Sequence, residues 1–390
     1  MVRECAISLY LTLFSLLFRI SSLFPQQKKI VFCVSFPENS MHIYEELKKT
    51  ADDKRCIFLA ATAQTKEMLE EKQIGQVLEF TPRKPKAFLA GIRHLATAKV
   101  VILDNYFGFL SSITFKPNVK VLQIWHAAGA IKTFGLKDSS IQNRTSKANQ
   151  RFKDVYSKFQ YVITGSHEMD HIFHEAFSIQ ERQIMHTGIP RTDIFFDETR
   201  KKETITKVYS EYPQFENKRI LLYAPTFRGE NNGITNSNLD IKQLKNRLGE
   251  DTVILIRLHP SIKEKAHLPE MDAAVYDVSE YPYINELLLI TDLLITDYSS
   301  IPFEYSFLRR PMIFFPYDLE EYAKDRGFWT DYDKLVPGPV AYTTAELADI
   351  LAKNEYDLDR IDTFHKRWNE YSTGQSSEKV AALIIEWLND

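Results

Sequence analysis

A chain of 390 residues exceeds what one hydrophobic core usually organises and fits two domains, with length left for a terminal appendage. Its 44% hydrophobic and 26% charged residues, with 13 glycines and no low-complexity tract or internal repeat, describe a globular protein and exclude disorder as the organising state. A formal charge of −3 supplies no general field for nucleic acid, which is not an expected partner.

The chain opens on an apolar run at residues 5–24. A signal peptide fits poorly, because Glu4 follows Arg3 and the run ends in Leu23-Phe24-Pro25 rather than at a small-residue cleavage site. On a helix, Glu4, Ser8, Thr12, Ser15, Arg19 and Ser22 form one narrow polar stripe on an otherwise apolar rod. Three placements remain open: a helix lying in the bilayer surface with its stripe towards water, a short span, or a helix packed on the protein itself. Arg19 is costly at mid-bilayer, and Lys28 and Lys29 suit anionic head groups. The expectation is a membrane-associating amphipathic helix over 1–27, which makes the protein peripheral (monotopic) on the cytoplasmic face, with an anionic membrane surface as partner. Cys5, Cys33 and Cys56 lack metal-site spacing and an even count, so they read as unpaired thiols in a reducing compartment, with Cys33 a small buried side chain.

From residue 30, β-rich apolar runs alternate with amphipathic helical stretches, the pattern of parallel βαβ units. KIVFCVSF, CIFLAA, QVLEF, KVVILDN, KVLQIWH and YVITGS read as strands, with helices at 41–53 and 85–96 among those between them. The polar stretch KKETITKVYSEYPQFENK is the best boundary, and beyond it RILLYAPT, TVILIRLHP, AAVYDVS, the run at 293–300 and RPMIFFPYD restart the pattern, which ends in a helix over Glu378–Leu388. The fold class is therefore α/β, with domains at 28–205 and 206–390. Each is a Rossmann-like parallel-sheet domain, and the two face a cleft at the carboxyl edges of their sheets, where open α/β sheets bind ligands.

Polar clusters occupy several strand ends: Trp125-His126 through Gly129 and Lys132, Gly188 through Arg191 and Asp193, Thr226 with Arg228, Arg257 with His259, and Asp297 through Ser299 and Ser300. Singly each is weak, since a strand-end histidine is more often structural and a Ser-Ser pair before a helix is most simply a cap. Recurrence at one kind of position in both domains favours a functional reading. Ser299-Ser300 precedes a helical stretch starting near Pro302, so free backbone N–H groups there could hold a phosphate, with Arg228, Arg257 and His259 completing a pyrophosphate site. Neither a Walker loop nor a G-x-G-x-x-G fingerprint is present. The D-x-D pairs Asp331/Asp333 and Asp357/Asp359 lie in polar surroundings and read as solvated surface, so no cofactor or metal is implied.

The ordered set QIWHAAGAIKTFG, TGSHEM, HTGIPRTD, APTFR, RLHP, TDYSSIPFEY and FFPYDLEEYAKDRGFW, spread over about residues 90–340, resembles the CDP-glycerol glycerophosphotransferase family of teichoic acid synthesis, especially its short members. The resemblance implies a GT-B-type fold. It also implies CDP-glycerol as donor, held chiefly by the C-terminal domain, and an undecaprenyl-diphosphate-linked acceptor approaching from the N-terminal domain. It casts His126 as general base and His259 as the contact to the donor phosphates, and it puts Thr226, Arg228, Asp297, Ser299, Ser300 and Glu304 along the donor site. Chemistry agrees: a primary hydroxyl attacking the β-phosphate must lose a proton, which an imidazole with a pKa near neutrality is suited to accept. Charge on the phosphate oxygens and the departing CMP needs cations and N–H donors, such as His259, Arg257, Arg228 and the Ser299-Ser300 helix start.

The long N-terminal extension of some polymerases is missing, which favours an enzyme acting early: the primase of the linkage unit, or the enzyme adding the next unit or few. Ribitol-phosphate transfer is disfavoured, because enzymes associated with it are usually longer. Two other classes compete, a GT-B glycosyltransferase using a nucleotide sugar and an inactive membrane-bound scaffold. The motif set argues against the first, and retention of both His126 and His259 against the second.

Overall fold

The runs read as strands become two separate all-parallel sheets in a computed structural model that describes residues 2–50, 52–226, 228, 239–245, 247–258 and 274–390. The first sheet has the order β3-β2-β1-β4-β5-β6-β7. Its strands are β1 Ile30–Val34, β2 Cys56–Ala60, β3 Gln76–Glu79, β4 Val100–Leu103, β5 Lys120–Gln123, β6 Tyr161–Ile163 and β7 Ile184–Met185. The second has the order β10-β9-β8-β11-β12, from β8 Arg219–Ala224, β9 Thr252–Ile256, β10 Val275–Asp277, β11 Leu293–Thr296 and β12 Met312–Phe314. β1, β2, β4, β9, β11 and β12 are buried along their whole lengths, as strands covered on both faces must be, whereas the edge strand β3 is not. Parallel register sets Phe32 of β1 beside Phe58 of β2, and their rings stack at 4.5 Å. Cys33 and Cys56 are buried free thiols and Cys5 is exposed. In each sheet the order reverses once, between β1 and β4 and between β8 and β11, and the loops leaving those strands are where such sheets hold ligands.

Two compact units divide the chain: Met1–Ala127, Phe134–Asp193 and Glu370–Asp390 in the first, Ala128–Thr133 and Ile194–Asn369 in the second. This corrects the expected domains. The boundary lies at Asp193/Ile194 rather than at 205/206, because helix Glu198–Glu211 buries Thr204 and Val208 and its Lys207 pairs with Glu286 of the second unit at 2.8 Å. The C-terminal helix Ser376–Asn389, expected in the second domain, lies in the first. Its opening N–H groups, on Ser376 and Ser377, donate to the two oxygens of Asp193 at 3.0 and 2.7 Å, and Trp387 stacks on Tyr161 at 4.6 Å. Gly188 (φ +81°) lets this segment close on the loop after β7, since a Cβ there would stand 2.4 Å from Ser376 Oγ. Segment Ala128–Thr133 joins the second unit because Thr133 N–H donates to the Gly327 carbonyl and Trp329 N–H to the Ile131 carbonyl.

Helix Val2–Ser21 is part of the first unit, so residues 1–27 are not a separate domain. Phe14 and Phe18 are buried; Phe14 stacks on Phe109 at 4.9 Å and meets Phe80 and Phe88 edge-on, and Phe18 meets Phe115. The polar stripe does not simply face water. Glu4 forms a bidentate pair with Arg151 at 2.7 and 2.9 Å, and Lys147 donates to Ser8, both partners lying on helix Ser146–Tyr156. The outward face is aliphatic instead, with Leu9, Leu13, Leu16 and Ile20 each more than half exposed and Leu23 at 85%.

Candidate active-site residues

In the first unit, the loop leaving β5 carries His126. Its Nδ1 lies 2.9 Å from the Asp104 carbonyl oxygen, which can only accept, so the proton sits on Nδ1 and the lone pair on Nε2. The ring stacks on Phe36 at 4.3 Å and leans on Trp125, also at 4.3 Å. Burial, aided by Arg191, pushes the imidazole down to about 4 although the Asp104 carbonyl opposes the shift, so His126 is neutral at physiological pH. The expectation of a pKa near neutrality is thereby corrected, because burial outweighs the Asp104 carbonyl and holds the imidazole in its neutral form.

The neighbouring backbone is strained. Trp125 has φ +48°, a region non-glycine residues seldom enter and which costs on the order of 1–3 kcal/mol. Asn39, buried at the start of helix Pro37–Lys49, holds it by donating to the carbonyls of Ile124 and Trp125 at 3.2 and 3.0 Å, while Gln123 Oε1 accepts from the Trp125 N–H. Arg191 closes the group. Its N–H donates to Asn39 Oδ1 at 2.9 Å, and its guanidinium reaches the His126 carbonyl at 3.1 Å and Glu38 at 2.9 Å. Expected as a substrate contact, Arg191 is bonded instead to the segment that carries His126.

Asp104 escaped the sequence reading. It follows β4 at the reversal of strand order, accepts the Ser35 and Phe36 N–H groups at 2.7 Å each, and its Oδ1 is buried without a hydrogen-bond partner among the described residues. Burial pushes its carboxyl up to about 8 against the pull of those N–H groups. The polar end of KVVILDN was the available signal, hidden by the stronger apolar pattern before it.

In the second unit, the loops leaving β8 and β11 are tied to each other. Asp297 Oδ1 accepts the Thr226 N–H at 2.8 Å and the Tyr298 N–H at 2.6 Å, and its Oδ2 accepts from Arg228 at 2.7 Å. Arg228 also grips Asp318 through Nε and NH2 at 2.7 and 3.0 Å, donates to the Thr226 carbonyl at 2.7 Å, and lies over Tyr298, Tyr317 and Tyr322. Its side chain is 4% exposed. The guanidinium expected to hold a phosphate is therefore spent on two protein carboxylates. Thr226 Oγ1 is buried and has no hydrogen-bond partner among the described residues.

Lys132 sits in the same electrostatic neighbourhood. Burial pushes its ammonium down to about 8, with Asp297 opposing and Arg326 and Arg228 assisting. Gly129 is needed for a close approach, since a Cβ there would fall 2.2 Å from the Phe303 ring. Ser299 Oγ accepts the Ile301 N–H at 3.1 Å, so Ser299 rather than Ser300 makes the side-chain bond at that helix start. The helix, Ile301–Tyr305, is five residues long, which leaves little dipole for an anion. Glu304 within it is buried. Arg257 donates to the Tyr281 carbonyl. His259 lies outside the described residues. The D-x-D aspartates are exposed, with Asp357 capping helix Leu358–Trp368.

Two parallel-sheet α/β domains with polar clusters at their strand ends are a GT-B-type architecture. The chain belongs to the family described as CDP-Glycerol:Poly(glycerophosphate) glycerophosphotransferase, which matches residues 16–386; it is a glycerophosphotransferase of teichoic acid synthesis. It is 34% identical over 361 residues to the teichoic acid glycerol-phosphate primase of Bacillus spizizenii, covering 93% of each chain. It is likewise 34% identical to that organism's teichoic acid ribitol-phosphate primase, over 95% of this chain and 94% of the other. The solved structure of the wall teichoic acid polymerase TagF matches with a TM-score of 0.82 and 25% identity, covering 100% of this chain and 98% of that one. A ribitol-phosphate primase matched along nearly its whole length removes the expectation that chain length separates ribitol from glycerol enzymes.

Proposed function

We propose that this chain transfers glycerol phosphate from CDP-glycerol to an undecaprenyl-diphosphate-linked disaccharide, or to its glycerol-phosphate-primed form, releasing CMP in wall teichoic acid biosynthesis at the cytoplasmic face of the membrane. The observation that carries the reading is His126: a neutral imidazole whose Nδ1–H is fixed on a carbonyl, which leaves Nε2 to accept a proton. In the reaction an acceptor hydroxyl oxygen bonds to the β-phosphorus, its proton passes to Nε2, and the bond to CMP breaks with the electron pair leaving on CMP. A bound anionic phosphate raises the basicity of a neighbouring imidazole, which offsets the low value of the free protein. On the donor side, Lys132 is the cation this reading assigns to the phosphates, and the family resemblance gives His259 a contact to the same phosphates. Arg228 and Asp297 hold the loops that present Thr226.

The membrane placement rests on the aliphatic face of helix Val2–Ser21, which is also long and apolar enough to cross a membrane by length and composition. Because the opposite face fills an aromatic cluster of the first unit, the reading is a helix lying on the bilayer surface.

The test is a donor and acceptor assay on purified protein with a short-tailed analogue of the lipid disaccharide, products being weighed by mass spectrometry. CMP release from CDP-glycerol with a mass gain of one glycerol phosphate on the analogue supports the reading, and several additions identify an extender. Preference for CDP-ribitol, or UDP release from a UDP-sugar without CMP release, overturns it.

A further inference from the structure

We propose that His167, Asp170 and His186 form a binding site for a late first-row divalent cation, with Zn²⁺ as its probe. None of the three has a part in the transfer chemistry above. Helix His167–Phe177 begins at the N-cap Ser166, and its first turn sets His167 and Asp170 on one face, three residues apart. His186 directly follows β7 and so arrives at that face from the sheet. Asp170 Oδ2 lies 3.1 Å from His167 Nδ1 and 2.8 Å from His186 Nε2, and the ligand atoms of the three residues all lie within 4.8 Å of one another. Tetrahedral zinc with bonds of about 2.0–2.2 Å holds its ligand atoms roughly 3.3 Å apart. The two histidine–carboxylate distances need to open by about half an ångström or less to reach that spacing, and the imidazole pair, within 4.8 Å, is close enough to share one ion.

The carboxylate supplies a second, independent observation. Asp170 is 4% exposed, and its Oδ1 is buried with no hydrogen-bond partner among the described residues. A trio serving only as a hydrogen-bonded brace would spread its two imidazole donors over both oxygens, whereas here both crowd onto Oδ2. A chelating carboxylate gives Oδ1 a use. The rings are also pre-set: Tyr371 stacks on His186 at 4.3 Å and meets His167 edge-on at 5.4 Å, and its own N–H is fixed to the Gly165 carbonyl at 2.9 Å. His167 is 70% exposed, which gives an ion its way in and leaves a position open to water. Two imidazoles with one carboxylate suit zinc and its neighbours and disfavour Mg²⁺ or Ca²⁺, which take all-oxygen sets. The ion would tie the start of this helix to the end of β7.

The test uses tag-free full-length protein stripped with chelator, dialysed against Zn²⁺ with Mg²⁺ in excess, with bound metal counted by mass spectrometry and thermal unfolding followed in parallel. Wild type should retain a single equivalent of Zn²⁺ and melt higher with it, because an ion that binds only the folded state stabilises that state. His186→Ala and Asp170→Asn should weaken binding by more than the roughly 10–100-fold that loss of an outer-shell partner costs. Because Asp170 is buried and its variant could fail to fold, the exposed His167→Ala gives the same reading on an intact fold. Zinc retention in His167→Ala equal to that of wild type, or none in wild type, overturns the proposal.

Discussion

Replacing Arg228 with methionine should weaken the second unit's fold before it weakens nucleotide binding. Methionine occupies much of the aliphatic stem but leaves Asp297, 2% exposed, and Asp318, 18% exposed, without their cation. Breaking a buried ion pair by removing one partner costs about 3–5 kcal/mol, because a charge is stranded away from water. Asp297 keeps the Thr226 and Tyr298 N–H groups and Asp318 keeps the Tyr298 hydroxyl, so the lower end of that range, about 3 kcal/mol, is expected. Against a typical stability of about 5–15 kcal/mol, this is a visible loss in the denaturant midpoint read by circular dichroism. The double variant Arg228→Met/Asp297→Asn removes one stranded charge with its partner and should recover a good part of the loss, which a double-mutant cycle measures. If Arg228→Met kept the wild-type midpoint and lost only calorimetric affinity for CDP-glycerol, the guanidinium would belong to the donor and the structural role argued here would be wrong.

His126→Ala should lower turnover at least about a hundredfold, the usual contribution of a general base, while donor affinity stays unchanged. In the free protein its ring resonances should stay flat from pH 8 down to about 5, because its pKa is lowered from 6.5 to about 4; a midpoint near 6.5 would refute the assignment of burial as the dominant cause. Lys132 is expected to be charged below about 8 and to lose its charge above it, so affinity for CDP-glycerol should fall as pH rises through that value, and Lys132→Arg should remove the alkaline loss. An identical alkaline profile in the two proteins would detach Lys132 from the donor. Glutamate at Leu13, Leu16 and Ile20 together should release the protein from anionic vesicles without changing its melting temperature, since each is more than half exposed; full co-flotation of that variant would exclude this face as the membrane contact.

How far the sequence led differs by level. Every strand that is buried along its length carries a continuous run of apolar or β-branched residues, which located it without any alternation. The helix expected at 85–96 is Pro85–Ala96, whereas the one expected at 41–53 runs from Pro37 to Lys49, with proline at its first turn. The two-residue strand β7 was too short to show a pattern. The C-terminal helix was recognised as a helix but assigned to the wrong unit, because an apolar face says that something must cover it and not what does. The N-terminal helix shows the same limit. Of the three placements its sequence leaves open, packing on the protein accounts for part of the polar stripe, since Arg151 and Lys147, more than a hundred positions away, take up Glu4 and Ser8 and leave the aliphatic face outward.

At the site, strand ends were legible but allegiances were not. An arginine after a parallel strand is equally consistent with a phosphate or a carboxylate, and the partners that decide for Arg228 lie 69 and 90 positions away in sequence. Among the described residues, Lys132 is the cation the proposed function assigns to a donor phosphate, and its charge, unlike a guanidinium's, depends on pH near neutrality. A site built this way separates two tasks that the sequence had merged. Arg228, permanently charged, fixes the loops after β8 and β11, whereas Lys132, its pKa lowered by burial to about 8, would meet an anion with full strength only below that pH, since above it part of the binding energy goes into restoring the proton. That is why the alkaline limb of donor affinity, rather than the loss of activity in an Arg228 variant, reads out which cation meets the donor.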